Sequence, residues 1–360
     1  MTILTDDAVR SNESLPEKSQ GSEAGLGWVD HPDSPEARAG LVARVGEQQA
    51  KLAAGNPDLH GVVPRGQHQK QLLGAFATLT IPEGIPAAVR VGPFSDPGRF
   101  RSACRISNGQ PCPHRDQAPD VRGIAIKFFT KDGVETDLVM TNEGGRSHAR
   151  DAIQFMEVAD ILATSQVQGG AIEALRELTA DVMTGKLGPA EAARVAFILG
   201  KETVLRKVAS MATEHYWGSV VEAEGRALKY SLHPHPLTPP GTDGDPKDAE
   251  YLRTDLARRL QKEPLRFNLS VQLFIDERAT PVNDASIAWE APLVQVGELA
   301  IESLPSEADE DVIDHMAFNP GNGFAPLGMT HARKDVYAAS AKNRGALTTA
   351  EIRGYFSDPA

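Results

Sequence analysis

The chain has 360 residues, of which 41% are hydrophobic and 24% charged, with a formal net charge of −12 and a pI near 5.4. That acidity argues against nucleic acid and anionic membrane as partners, and no run of about 18 apolar residues is present to span a bilayer. Two cysteines, Cys104 and Cys112, make no disulfide framework, and the polar, acidic N-terminus carries no basic-then-apolar leader, so a cytoplasmic site is expected.

Residues 1–25 read as a disordered tail, being polar and acidic without apolar periodicity. A stretch rich in Ala, Glu, Arg and Gln predicts a helix over Ser34–Ala54. From Gly74 the signal changes. β-Branched and aromatic residues between Pro, Gly and Asp turns predict strands at 74–81, 122–130 and 137–141. The middle, Ala149 to Ala212, reads as helical, with breaks at Gly169-Gly170 and Gly188-Pro189. Strands return at Trp217–Leu232, Leu265–Asp276 and Ala285–Ile301, and the stretch from Pro239 to Pro246 predicts a loop followed by a charged helix. A last helix is expected over about 329–345. Strands on both sides of a helical insert predict an α+β fold. Its centre is an antiparallel β-barrel over about 65–305, in one domain spanning 26–360. No repeat and no Gly-rich phosphate loop is found.

Four separated segments hold polar groups with chemical potential. They are Pro64-Arg65-Gly66-Gln67-His68, Arg105-Ile106-Ser107, Thr141-Asn142, and the C-terminal stretch with Arg333, Tyr337 and Arg344. On a helix, Arg333 and Tyr337 share a face. A phenol ordinarily titrates near ~10, and a fixed cation beside it favours the anion. Singly, each segment is weak: an Arg–Tyr pair is usually a surface contact, and a lone His before a strand is usually solvated or core. His233-Pro234-His235-Pro236 reads as surface histidines on an extended loop rather than a metal clip.

Together these segments resemble the haem catalase superfamily, and in particular its small catalase-related peroxidases, which lack a C-terminal flavodoxin-like domain. DVRGIAIKFFT at 120–130 resembles the family's D-x-R-G-F-A-x-K-F-Y-T strand, and DLVMTN at 137–142 resembles D-L-V-G-N-N. APLVQVGELAI at 291–301 is similar to a late core strand, and Arg333-x-x-x-Tyr337 to the haem-ligand signature. The likeness runs from about Arg65 to Arg344, in family order.

The resemblance implies haem b, with Tyr337 as axial metal ligand and Arg333 as the cation that keeps it phenolate. It implies His68 as distal acid and base, Ser107 as the hydroxyl accepting from its ring, and Asn142 as an amide holding the peroxide oxygen. Arg65, Arg105 and Arg344 would pair the haem propionates, and Phe155 would pack on the porphyrin. His60 also precedes the first strand. His68 is preferred because Arg65-x-x-His68-x-Lys70 is similar to R-x-x-H-A-K-G and lies 39 residues before Ser107. The implied partners are a hydroperoxide and a small organic electron donor, with a homodimer as the assembly. Peroxidase chemistry towards organic hydroperoxides and hydrogen peroxide, with weak or variable dismutation, is expected. An allene-oxide-forming isomerase and a non-catalytic haem-binding protein are the alternatives. The chain departs from the pattern at Gln67, where catalases carry Val, at Gln69-Lys70-Gln71, and at Thr141 in place of the first Asn. A polar Gln67 predicts a more open pocket that admits organic hydroperoxides.

Overall fold

In the computed structural model, which describes residues 27–56, 59–168, 183, 188–199, 207–241, 244–245 and 247–357, eight antiparallel strands close into a barrel. The tail expected at 1–25 lies outside the described residues, as do 169–182, 184–187 and 200–206 of the helical middle. Strands β1 (Gln71–Ile81), β2 (Gly98–Asn108), β3 (Arg122–Phe129) and β4 (Glu135–Thr141) form a meander. They are followed by β5 (Tyr216–Ala223), β6 (Arg226–Pro234), β7 (Leu265–Leu273) and β8 (Val294–Ile301). β8 returns to pair with β1, and β4 meets β5 at Thr141 and Trp217, so the ring closes. A two-residue strand, β9 (Ala325–Pro326), pairs with β5.

Period-2 alternation places the core. Leu79 and Ile81 on β1, Cys104 and Ile106 on β2, Ile124 and Ile126 on β3, and Leu138 and Met140 on β4 all join one buried cluster. Leu228, Tyr230 and Leu232 on β6 continue it. β2 was not expected as a strand. Its arginines, Arg99, Arg101 and Arg105, dilute the apolar alternation of its sequence. The run expected as one strand over Trp217–Leu232 is a hairpin, turned at Glu224-Gly225 with φ of 50° and 74°. The strand expected from Ala285 begins only at Val294.

Helix α1 (Pro35–Gly55) starts where Ser34 Oγ accepts from the Ala37 N–H and Pro35 sits in the first turn. Then come α2 (Ala152–Gln168), α3 (Pro189–Leu199), α4 (Tyr251–Leu260), α5 (Glu307–His315), α6 (Thr330–Asn343) and α7 (Thr349–Ile352). Leu41 and Val45 of α1, Met156 of α2, and Ala332 and Val336 of α6 form a second apolar cluster. Gln49 of α1 ties it together, donating to Pro64 O at 2.7 Å and to Ser340 Oγ at 3.0 Å. Among the described residues, no helix is long and apolar enough to cross a membrane. Both cysteines are free.

Candidate active site

The alternation that sends Ile106, Ile124 and Leu138 into the core sends their neighbours to the other face of the same three strands. Register there aligns two rows. Arg105 faces Ala125, which faces Val139; Ser107 faces Gly123, which faces Thr141. These rows make one wall of a cleft whose opposite side is built by α1, α2 and α6.

His68 lies over this wall. Its φ is 56°, in the left-handed region that a non-glycine residue rarely occupies. The Gly109 carbonyl accepts from its backbone N–H at 2.8 Å, which holds the turn. A Cβ on Gly123 would stand 2.5 Å from the His68 ring, so only glycine lets the imidazole lie there. Nδ1 is 3.1 Å from Ser107 Oγ. Burial, with Arg105 and Arg333 nearby, pulls the His68 pKa down to about 4, so the ring is neutral at physiological pH. His60 is exposed and does not line the cleft.

Tyr337 enters from α6. Arg333, one turn earlier, donates to the Tyr337 hydroxyl at 2.9 Å and to Ser219 Oγ at 2.6 Å. Its guanidinium also stands 5.6 Å from the Phe155 ring centre. Burial alone would lower the Arg333 pKa; Tyr337, Tyr230 and Glu143 more than reverse this and hold it above its ordinary value. Phe155 lines the cleft from α2.

At one end three guanidiniums converge on the C-terminus of α5. Arg65 and Arg344 both donate to Met316 O, at 3.0 and 2.7 Å. Arg105, 3% exposed, meets Asp314 at 2.9 Å. Burial and the neighbouring Arg105 and Arg344 push the Arg65 pKa down, and burial with Arg105 brings Arg344 to about 10. Burial would raise Asp314, but Arg105 and Arg65 hold it below the usual carboxylate range. Among the described residues, one carboxylate stands among these three cations.

The structure therefore brings His68, Ser107, Phe155, Tyr337, Arg333, Arg65, Arg105 and Arg344 to one cleft. Asn142 is not among the residues that line this cleft. It is fully buried, its Oδ1 accepts from the Arg122 N–H at 2.7 Å, and its Nδ2 donates to Glu214 at 2.7 Å. Alternation turns it away from the wall and presents Thr141 instead. Asp314 and Ser219 were missed as well. Each meets its arginine across 209 and 114 residues of chain, so no local spacing marks it. The histidine pair also differs from expectation. His233 belongs to strand β6, its Nδ1 is 2.8 Å from His215 Nδ1, and burial with His215 pulls its pKa down to about 4.

No family model matches the chain. A catalase-related peroxidase from Mycolicibacterium paratuberculosis is 28% identical over 270 residues, covering 70% of this chain and 80% of that protein. An allene oxide synthase-lipoxygenase protein from Plexaura homomalla is 31% identical over 94 residues, which is 25% of this chain and 9% of that protein. Among solved structures, a bacterial catalase superposes with a TM-score of 0.61 at 21% identity, covering 94% of this chain and 64% of its own. A fungal catalase gives 0.61 at 18% identity, over 81% of this chain and 61% of its own. The chain thus spans somewhat less than two thirds of these catalases. The barrel therefore has the catalase fold, and over 70% of its length the chain is similar to a catalase-related peroxidase.

Proposed function

We propose that this chain is a haem-dependent peroxidase that reduces organic hydroperoxides and hydrogen peroxide, with weak dismutation of the latter. The observation that carries the reading is the charge layout of the cleft. Among the described residues, Asp314 is the one carboxylate beside Arg65, Arg105 and Arg344, whose other bonds go to backbone carbonyls, leaving a cationic end suited to a ligand with two carboxylates. Haem b fits this donor set. The three arginines would hold its propionates, Tyr337 would hold the metal, and the small side chains of Ala125 and Val139 leave room for a flat ring. When bound, haem supplies the redox centre that takes up the oxidising equivalents of the O–O bond.

The remaining steps belong to side chains. With Ser107 Oγ accepting from Nδ1, the His68 Nε2 carries a free lone pair. It removes a proton from one peroxide oxygen and returns it to the leaving oxygen. Arg333 donates to the Tyr337 oxygen and, anchored at Ser219, fixes where that oxygen stands.

Titration of the purified protein with haemin tests the reading. A Soret band saturating at one equivalent, shifting on cyanide addition and altered in Tyr337→Phe, is expected. Colourless protein that takes up no haemin overturns it. The segment shared with the allene oxide synthase-lipoxygenase protein supports a second reading, isomerisation of a lipid hydroperoxide. Product analysis without reductant separates the two: an alcohol marks reduction, and an epoxide or ketol marks isomerisation.

A further inference from the structure

A second histidine reaches the same cleft, and the proposed peroxide chemistry has no task for it. His148 is 5% exposed and stacks against Phe155 at 5.6 Å between ring centres. Its Nδ1 is 2.7 Å from Glu143 Oε1, and Glu143 is also 5% exposed. The same carboxylate accepts from the His148 N–H at 3.3 Å and from Thr141 Oγ1 at 3.0 Å. Burial would raise the Glu143 pKa; the contacts with His148 and Thr141 outweigh it and hold the group ionised.

A carboxylate fixed on Nδ1 keeps the ring proton there and leaves Nε2 as the acceptor. That Nε2 is buried and has no hydrogen-bond partner among the described residues. Orphaned buried acceptors are rare, and one at a cleft wall marks a place where a ligand completes the bonding. The surroundings narrow what the ligand is. Phe155 and Trp217 line this part of the cleft, together with Lys229, whose ammonium burial pushes down to about 8. Flat apolar walls beside one oriented base suit an aromatic ring that carries a hydroxyl.

We propose that His148, oriented by Glu143, accepts the proton of a phenolic reductant bound between these aromatic walls. The inference rests on the peroxidase reading and names its electron donor by class. One hydroperoxide and two phenols become one alcohol, one water and two phenoxyl radicals. In each half the phenol O–H bond breaks. The electron goes to the oxidising equivalent left by the hydroperoxide, and the proton goes to His148 Nε2. The two electrons and two protons complete the alcohol and the water.

The test uses haemin-loaded protein with cumene hydroperoxide and two reductants: hydroquinone, which gives up a proton with its electron, and ferrocyanide, which does not. In His148→Gln the ratio of hydroquinone to ferrocyanide kcat/KM is expected to fall at least about tenfold, at the low end of what a positioned base supplies. Phenol binding to the resting protein, read by calorimetry, should weaken in parallel. Should His148→Gln take up no haemin, Glu143→Gln, which keeps the ring and alters only what holds it, is read the same way. An unchanged ratio, both reductants failing equally, or unchanged phenol affinity overturns the assignment. Wild-type protein that takes up no haemin overturns the peroxidase reading itself. Haemin uptake and turnover with an unaltered ratio sink only the role of His148.

Discussion

At His68 three local constraints meet: a left-handed backbone, an imidazole over Gly123, and a hydroxyl on Nδ1. In the proposed reading these constraints hold the imidazole in the one orientation its task needs. Replacing His68 with Ala should lower the rate of reaction with hydroperoxide by about 10²–10⁴-fold, the usual worth of a general acid and base. Haemin uptake should survive, and stopped-flow spectra of the loaded variant check both. The pKa near 4 also sets a pH dependence. In the proposed reading the neutral ring is the active form, so the rate should stay level above about pH 5 and fall as pH drops through about 4. Stability follows the same sign. Between 6.5 and about 4 the unfolded chain binds this proton while the folded chain does not, so folding weakens as pH falls through that window. A rate that climbs towards pH 4 would contradict the neutral-imidazole assignment.

Among elements, β4 shows how a motif can be read correctly as a strand and still mislead about a side chain. The run 137–141 is strand as expected, but the period of two decides that Val139 and Thr141 face the cleft while Asn142 is engaged inside. Asn142→Ala should therefore act on stability. Losing the bonds to Arg122 and Glu214 leaves buried groups unpaired, which costs about 1–3 kcal/mol. Thr141→Val should instead alter the cyanide affinity of the haemin-loaded protein with a smaller change in melting temperature. The two variants exchanging these effects would restore Asn142 to the site. Strand β2 was hidden for a related reason. Arg105 is 3% exposed because Asp314 stands beside it, and in sequence a buried arginine looks like any surface one.

For the whole molecule, a net charge of −12 coexists with a cluster of three guanidiniums at one end of a single cleft. Composition describes the surface and conceals the site. Gln67 lines the cleft beside His68, its amide nitrogen buried and without a partner among the described residues. In the proposed reading this polar flank widens access for organic hydroperoxides. Turnover of cumene hydroperoxide with a dye reductant should exceed dismutation of hydrogen peroxide alone in steady-state assays. Dominant dismutation would refute the open pocket. Gln67→Val should shift the balance towards hydrogen peroxide.

What the sequence by itself determined is what short-range physics controls. Ser34 and Pro35 start a helix at their position, six runs of strand-like residues hold seven of the eight barrel strands, and a four-residue spacing brings Arg333 to the Tyr337 oxygen. The tertiary structure alone decided the rest. Which face Asn142 takes, why Arg105 can be buried, what anchors Arg333 at Ser219, and the pairing of His148 with Glu143 beside Phe155 all depend on strand register and on helices folding back over the barrel. Contacts spanning one or two hundred residues leave no periodicity for a sequence to display.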